Sequence, residues 1–207
     1  MFKDFTLNQY VADTASPSPV PGGGSAAALC SALAAGLTEM VAALTVASKA
    51  FASVATEMQS LRDQAQVFRD KLVDYIQLDT DAYQQVIAAY KLPRSNEEEE
   101  SWRSRAIQAA LRQAAHVPLE VARLSVEILS MAEKVVTRGN PNAVTDGTVA
   151  VLLARAAGLA ALYNVRINLT SIKDRRFVQQ VAAEVSRLAA LLVEEEKRIL
   201  QALPLSI

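Results

Sequence analysis

The sequence predicts an all-α protein, a bundle of long helices forming a single domain over residues 1–207, and three observations carry that prediction. Residues of the AVILMFWYC set make up 51% of the chain, with alanine dominant, while Gly and Pro number only seven each; this is the composition of packed helices. One seam, Leu61, Ala65, Phe68, Leu72, Tyr75, Asp79, Ala82, Val86 and Ala89, advances by alternating steps of four and three without a miss, which keeps every member on one helix face. No stretch alternates apolar and polar residues with period two between turn signals, and no internal repeat is present.

Phe2, Phe5, Leu7, Tyr10 and Val11 predict a short amphipathic helix over Lys3–Ala12, ended by the cluster Pro17, Pro19 and Pro21. The next helix is expected from Ser25, as its cap, to about Ala47, and its near-continuous apolar character makes it a buried central element. Small residues at Ala28, Ala32, Ala35 and Gly36 let neighbouring backbones approach. The seam from Leu61 defines the third helix, about 40 Å long at 1.5 Å per residue, and Leu92-Pro93 ends it. Ser95 or Asn96 caps a fourth, with Glu97 to Glu100 complementing its dipole. At Pro118 a kink or a break with immediate restart is expected before Leu119–Val136. Gly139-Asn140-Pro141-Asn142 reads as a turn, Ala143 to about Ile172 as a second apolar core helix opened by Asn142, and Phe177 to about Ala202 as an amphipathic closing helix.

Charge and cysteine usage narrow the function classes. Twenty-one basic against 22 acidic residues leave a net charge of −1, which gives no global reason to bind nucleic acid. Cys30 is the sole cysteine, so neither an intrachain disulfide nor a cysteine-based zinc site forms, and a cytoplasmic setting is expected. The start, Met1-Phe2-Lys3-Asp4-Phe5, does not read as a secretory signal. Ser25–Ala47 and Gly147–Tyr163 approach membrane-span hydropathy, but Glu39 and Arg155 interrupt them, and membrane insertion is not expected.

Four features point to a site. The run Pro19-Val20-Pro21-Gly22-Gly23-Gly24-Ser25 places bare backbone ahead of a helix N-terminus, where an anionic or carbonyl group is welcome. It fits G-x-G-x-x-G/A formally, but three prolines stand where a dinucleotide fold needs a strand. Asp79 is a carboxylate within an apolar seam, away from frayed ends, and must be paired or useful. Asp146 lies in the first turn of its helix, where an acid also serves as dipole complement. Asn164 and Asn168 stand one turn apart with Arg166 between them. His116 and Cys30 are expected to be packed, and no clustered metal ligands or Ser-His-Asp spacing occur.

These residues resemble the cyclodeaminase domain of formiminotransferase-cyclodeaminase and its single-domain bacterial relatives, the methenyltetrahydrofolate cyclohydrolases. The matching stretches are Pro19 to Ser25, Met40-Val41 with Leu44-Thr45, Asp79-Thr80-Asp81-Ala82-Tyr83, Ala88 to Pro93, Val117-Pro118-Leu119, Gly139-Asn140, Thr145-Asp146, and Asn164 to Leu169. The chain departs from the family at Val20, usually Thr, at Ser48-Lys49, usually a Lys pair, and at Thr145, usually Ser. The resemblance implies a helical homodimer acting on a tetrahydrofolate derivative without a metal, with Asp79 as catalytic acid and Asp146 as its companion. It further implies that Pro21, Gly22, Gly23, Gly24, Ser25, Asn140 and Asn164 border the pterin or the one-carbon unit, and that Lys49 and Arg166 meet the folate carboxylates. With no transferase segment in these 207 residues, the cyclohydrolase is the expected activity. The cyclodeaminase and a non-catalytic folate-binding dimer are the alternatives.

Overall fold

The computed structural model describes residues 1–203 and is helical throughout, in six helices: α1 (Leu7–Thr14), α2 (Gly23–Val46), α3 (Ala55–Tyr90), α4 (Glu97–Arg138), α5 (Val144–Leu169) and α6 (Arg175–Ala202). Short 3-10 turns at Phe2–Asp4, Lys49–Val54 and Pro141–Ala143 join or precede them. Helix α2 packs against α3, α4 and α5, and α6 closes the far side over α4 and α5. The core of Val41, Met58, Leu72, Ile128, Val151 and Leu192 is fully buried.

Several boundaries differ from the sequence expectation for identifiable reasons. Helix α1 starts at Leu7 because Thr6 and Gln9 form a reciprocal capping box. Gly22, not Ser25, caps α2; Ser25 lies in its first turn, fully buried. Helix α4 runs unbroken through Pro118, because buried neighbours on both sides hold it. The polar face of α4 carries His116 into solvent rather than into the core, and Cys30 is half-buried. Asn140 rather than Asn142 organises the turn before α5, its side chain accepting from the Asn142 amide at 3.0 Å.

The charges that interrupt the two apolar helices are paired sideways. Glu39 on α2 accepts from Arg69 of α3 at 2.6 Å, and Arg155 on α5 lies 3.3 Å from Glu196 of α6. At the α2–α4 interface the Ser125 Oγ donates to the Val121 carbonyl at 2.8 Å and meets Ser31 Oγ at 3.0 Å, so that polar contact costs no orphaned group, whereas the buried Thr80 hydroxyl on α3 has no hydrogen-bond partner among the described residues. Helices Gly23–Val46 and Pro141–Leu169 are long and apolar enough to cross a membrane, with 50% and 44% of their most apolar windows buried inside the protein.

Candidate active site

The run of glycines and the seam carboxylate meet in one place. A cleft of about 230 Å³ opens between the N-terminus of α2, the C-terminal half of α3, α4 and the end of α5. Pro19, Val20 and Gly22 to Gly24 form one wall, Asp79, Tyr83 and Val86 another, and Ala114, Asn164 and Asn168 complete it.

The close approach that the triple glycine anticipates is made by the protein itself. A Cβ at Gly24 would fall on the Asp79 carboxyl, 2.6 Å from its Cγ and 2.8 Å from Oδ2. A Cβ at Gly23 would make only ordinary contact with Asn164, 3.5 Å from Nδ2. Gly24 is therefore the glycine the site requires, and Gly24→Ala is expected to displace Asp79 and lower turnover by about 100-fold, whereas Gly23→Ala falls by less than about 10-fold. Steady-state rates of the two variants check this.

Asp79 is largely buried and, among the described residues, no basic side chain stands beside it: burial pushes its carboxyl above the ordinary aspartate range, and the backbone amide of Ser25 partly offsets that rise. Desolvation and the helix N-terminus thus act in opposite directions on one group, and desolvation wins. A carboxyl that holds its proton more tightly than an ordinary aspartate suits a group that takes a proton and returns it.

The opposite wall follows from a proline. Pro118 has no amide hydrogen, so the carbonyl of Ala114, four residues earlier, lacks its helical donor. Asn168 supplies one from α5, its Nδ2 lying 2.8 Å from the Ala114 oxygen and 3.0 Å from the Asn164 carbonyl. Asn164 in turn donates its Nδ2 to Ala160 O at 2.9 Å. Both carboxamide nitrogens are thereby occupied, and both oxygens remain as acceptors for a ligand in the cleft.

Other anticipated residues lie elsewhere. Pro21 is buried behind a cis Val20–Pro21 bond, and Arg166 lines a shallow α5–α6 groove with Leu159, Leu162 and Tyr163. Lys49, Asn140 and Asp146 sit at the other end of the bundle. The Asn140 amide donates to Thr45 Oγ1 at 2.9 Å, and Thr45 is about 33 Å along α2 from Gly23 at 1.5 Å per residue. Within one chain the two groups do not converge. Tyr10 and Tyr83 were not singled out in the sequence. Tyr83 is one turn beyond Asp79 on α3, a spacing that could have found it; Tyr10 carried no signal beyond an apolar pattern.

Known proteins resemble the chain in sequence and in fold. The family model described as Formiminotransferase-cyclodeaminase matches residues 6–187. A methenyltetrahydrofolate cyclohydrolase of Methylorubrum extorquens is 36% identical over 185 residues, 89% of each chain. A formimidoyltransferase-cyclodeaminase of Rattus norvegicus is 30% identical over 89% of this chain and 34% of its own length. The crystal structure of a formiminotetrahydrofolate cyclodeaminase from Thermotoga maritima superposes with a TM-score of 0.86 at 30% identity, covering 97% of this chain and 96% of that one. A helical bundle whose triple glycine cradles a buried carboxyl, matched over nearly its whole length in sequence and shape, belongs to the formiminotransferase-cyclodeaminase family.

Proposed function

We propose that this chain is a methenyltetrahydrofolate cyclohydrolase, converting 5,10-methenyltetrahydrofolate and water to 10-formyltetrahydrofolate. The observation that carries the reading is Asp79: a desolvated carboxyl, with no cationic side chain beside it, at the wall of a cleft that offers acceptors opposite. The methenyl carbon is cationic, its charge shared over N5 and N10, so the ligand itself completes the charge balance and holds Asp79 ionised. Water attacks that carbon while Asp79 accepts a water proton. The bond from the carbon to N5 then breaks as Asp79 returns the proton to N5, and the remaining hydroxyl proton leaves to solvent as the formyl carbonyl forms on N10. The Asn164 and Asn168 oxygens accept from ring N–H groups. The reading assigns the acid-base work to Asp79 and no metal to the site; a lone cysteine suits a reducing cytoplasm.

The second reading, cyclodeamination of formiminotetrahydrofolate by attack of N10 with loss of ammonia, is favoured by the likeness to the Thermotoga maritima cyclodeaminase. Decay of the methenyl chromophore with purified protein supports the first reading. Chromophore appearing from the formimino compound, with ammonia, supports the second, and silence on both folates overturns both.

The working unit in this reading is a homodimer. Helix α2 exposes Leu33, Met40 and Leu44, at 51%, 38% and 45%, in a stripe with Leu37, while α5 exposes Val149, Leu152, Ala156, Tyr163 and Ile167. These stripes step by threes, fours and sevens, as in a helix seam awaiting a partner. Helices α2 and α5 lie antiparallel and adjacent, so a second copy related by a two-fold axis near Leu33 and Leu152 lays its Thr45 end over the Gly23 end. That pairing brings Lys49, Asn140 and Asp146 of one copy toward the Asp79 cleft of the other.

A further inference from the structure

Helix α1 is exposed along most of its length, with Leu7 at 75% and Val11 at 65%, and buries only Tyr10. The Tyr10 phenol oxygen lies 2.9 Å from Ser25 Oγ, and the Ser25 hydroxyl donates to the Ile76 carbonyl at 3.1 Å. With the Ser25 proton engaged on Ile76, the phenol is the donor. Three helices are thus tied by one chain of two hydrogen bonds: α1 through Tyr10, the first turn of α2 through Ser25, and α3 through Ile76, one turn before Asp79. Both hydroxyls are buried, so removing either leaves an acceptor or a donor that water cannot serve.

We propose that Tyr10 is a positioning residue for Asp79: through the Ser25 hydroxyl its phenol holds the first turn of α2 in register with α3, so that the Ser25 amide meets the Asp79 carboxyl. The Gly24 backbone lies directly against the Asp79 carboxyl, the next amide, that of Ser25, opposes the desolvation of that carboxyl, and Ser25 is the residue that Tyr10 holds. The phenol also lies within reach of the Asp79 charge, which together with burial raises it above the ordinary tyrosine range. Cys30 on α2 is the other titratable group facing the phenol, and Tyr83 on α3 lines the same cleft as Asp79. The inference rests on Asp79 being the acid-base group of the proposed reaction.

Tyr10→Phe keeps the ring and deletes the donor. With the link cut, the Ser25 amide sits less well on the carboxyl, and the Asp79 titration midpoint, followed by its 13Cγ shift in NMR, is expected to move to higher pH. Turnover is expected to fall about 5-fold with KM unchanged, the size of one lost buried hydrogen bond. Because Tyr10 acts through the Ser25 hydroxyl, Tyr10→Phe added to Ser25→Ala should cost nothing more than Ser25→Ala alone. An unmoved Asp79 midpoint, or losses that add across the double variant, would overturn the proposal and leave Tyr10 a packing anchor for α1. The NMR midpoint does not depend on turnover, so it decides the role of Tyr10 even if neither folate is converted.

Discussion

Asp79→Asn is expected to lower turnover by about 100- to 10,000-fold while making the protein more stable at neutral pH. The first effect follows from the loss of the only carboxyl among the described residues that line the cleft; the amide keeps the shape of the carboxyl, so ligand contacts to Asn164 and Asn168 persist. The second follows from the raised affinity of Asp79 for its proton. In the unfolded chain an aspartate titrates near about 3.9. Between that value and the higher native one, the folded protein holds more protons than the unfolded, so stability falls as pH rises through this window. At neutral pH, above the unfolded value, the wild type therefore carries a burial penalty on its carboxyl that Asn lacks. Thermal unfolding at neutral pH should show a higher Tm for Asp79→Asn, and the gain should shrink in acid, below the unfolded aspartate range. A variant less stable than wild type at neutral pH would mean that Asp79 is held by a favourable partner rather than penalised by burial.

The largest effect after that concerns the second copy. If the partner supplies Asp146, then Asp79→Asn and Asp146→Asn are each expected to be inactive as homodimers, yet active when mixed. Random reassortment makes half the dimers hybrid, each with one intact site in two, so about a quarter of wild-type activity should return. Leu33→Lys, at the most exposed position of the α2 stripe, is expected to yield helical monomers with less than about 1% of wild-type activity, because a charge there forbids the apolar seam. Sedimentation gives the assembly state and chromophore decay the rate. Two singly active variants, or a mixture no better than its parts, would confine each site to one chain and remove Asp146 from it.

The helices were legible because their periodicity is a local property, and Asp79 was legible for the same reason: a carboxylate at the sixth position of a nine-residue apolar seam needs no structure to be noticed. The triple glycine announced a close approach without saying by what, since the approaching group, Asp79, lies 55 residues downstream of Gly24 in sequence. Ser25 read as a cap because hydroxyls usually are; its burial against Tyr10 and Ile76 is a tertiary fact that no local pattern carries. Pro118 read as a kink or a break because proline removes a hydrogen bond, and what serves the carbonyl it leaves open, Asn168, sits on a different element. Sequence likewise could not say that Asp146 and Asp79 lie at opposite ends of one bundle, because proximity in a motif set has no length scale.

The Ala114 carbonyl left open by Pro118 also acts as a key for alignment. Bundles of alanine-rich helices slide easily, because one small apolar side chain fits the next groove as well as its own. Here α4 presents a single vacant acceptor and α5 a single amide that fills it. Sliding α5 so that Asn168 leaves without Asn164 taking its place strands the Ala114 carbonyl in an apolar interface, where an unmade hydrogen bond costs about 1–3 kcal/mol. The proline thus selects one alignment among several that packing alone would leave nearly equal, and in doing so it fixes where the floor of the cleft stands opposite Asp79.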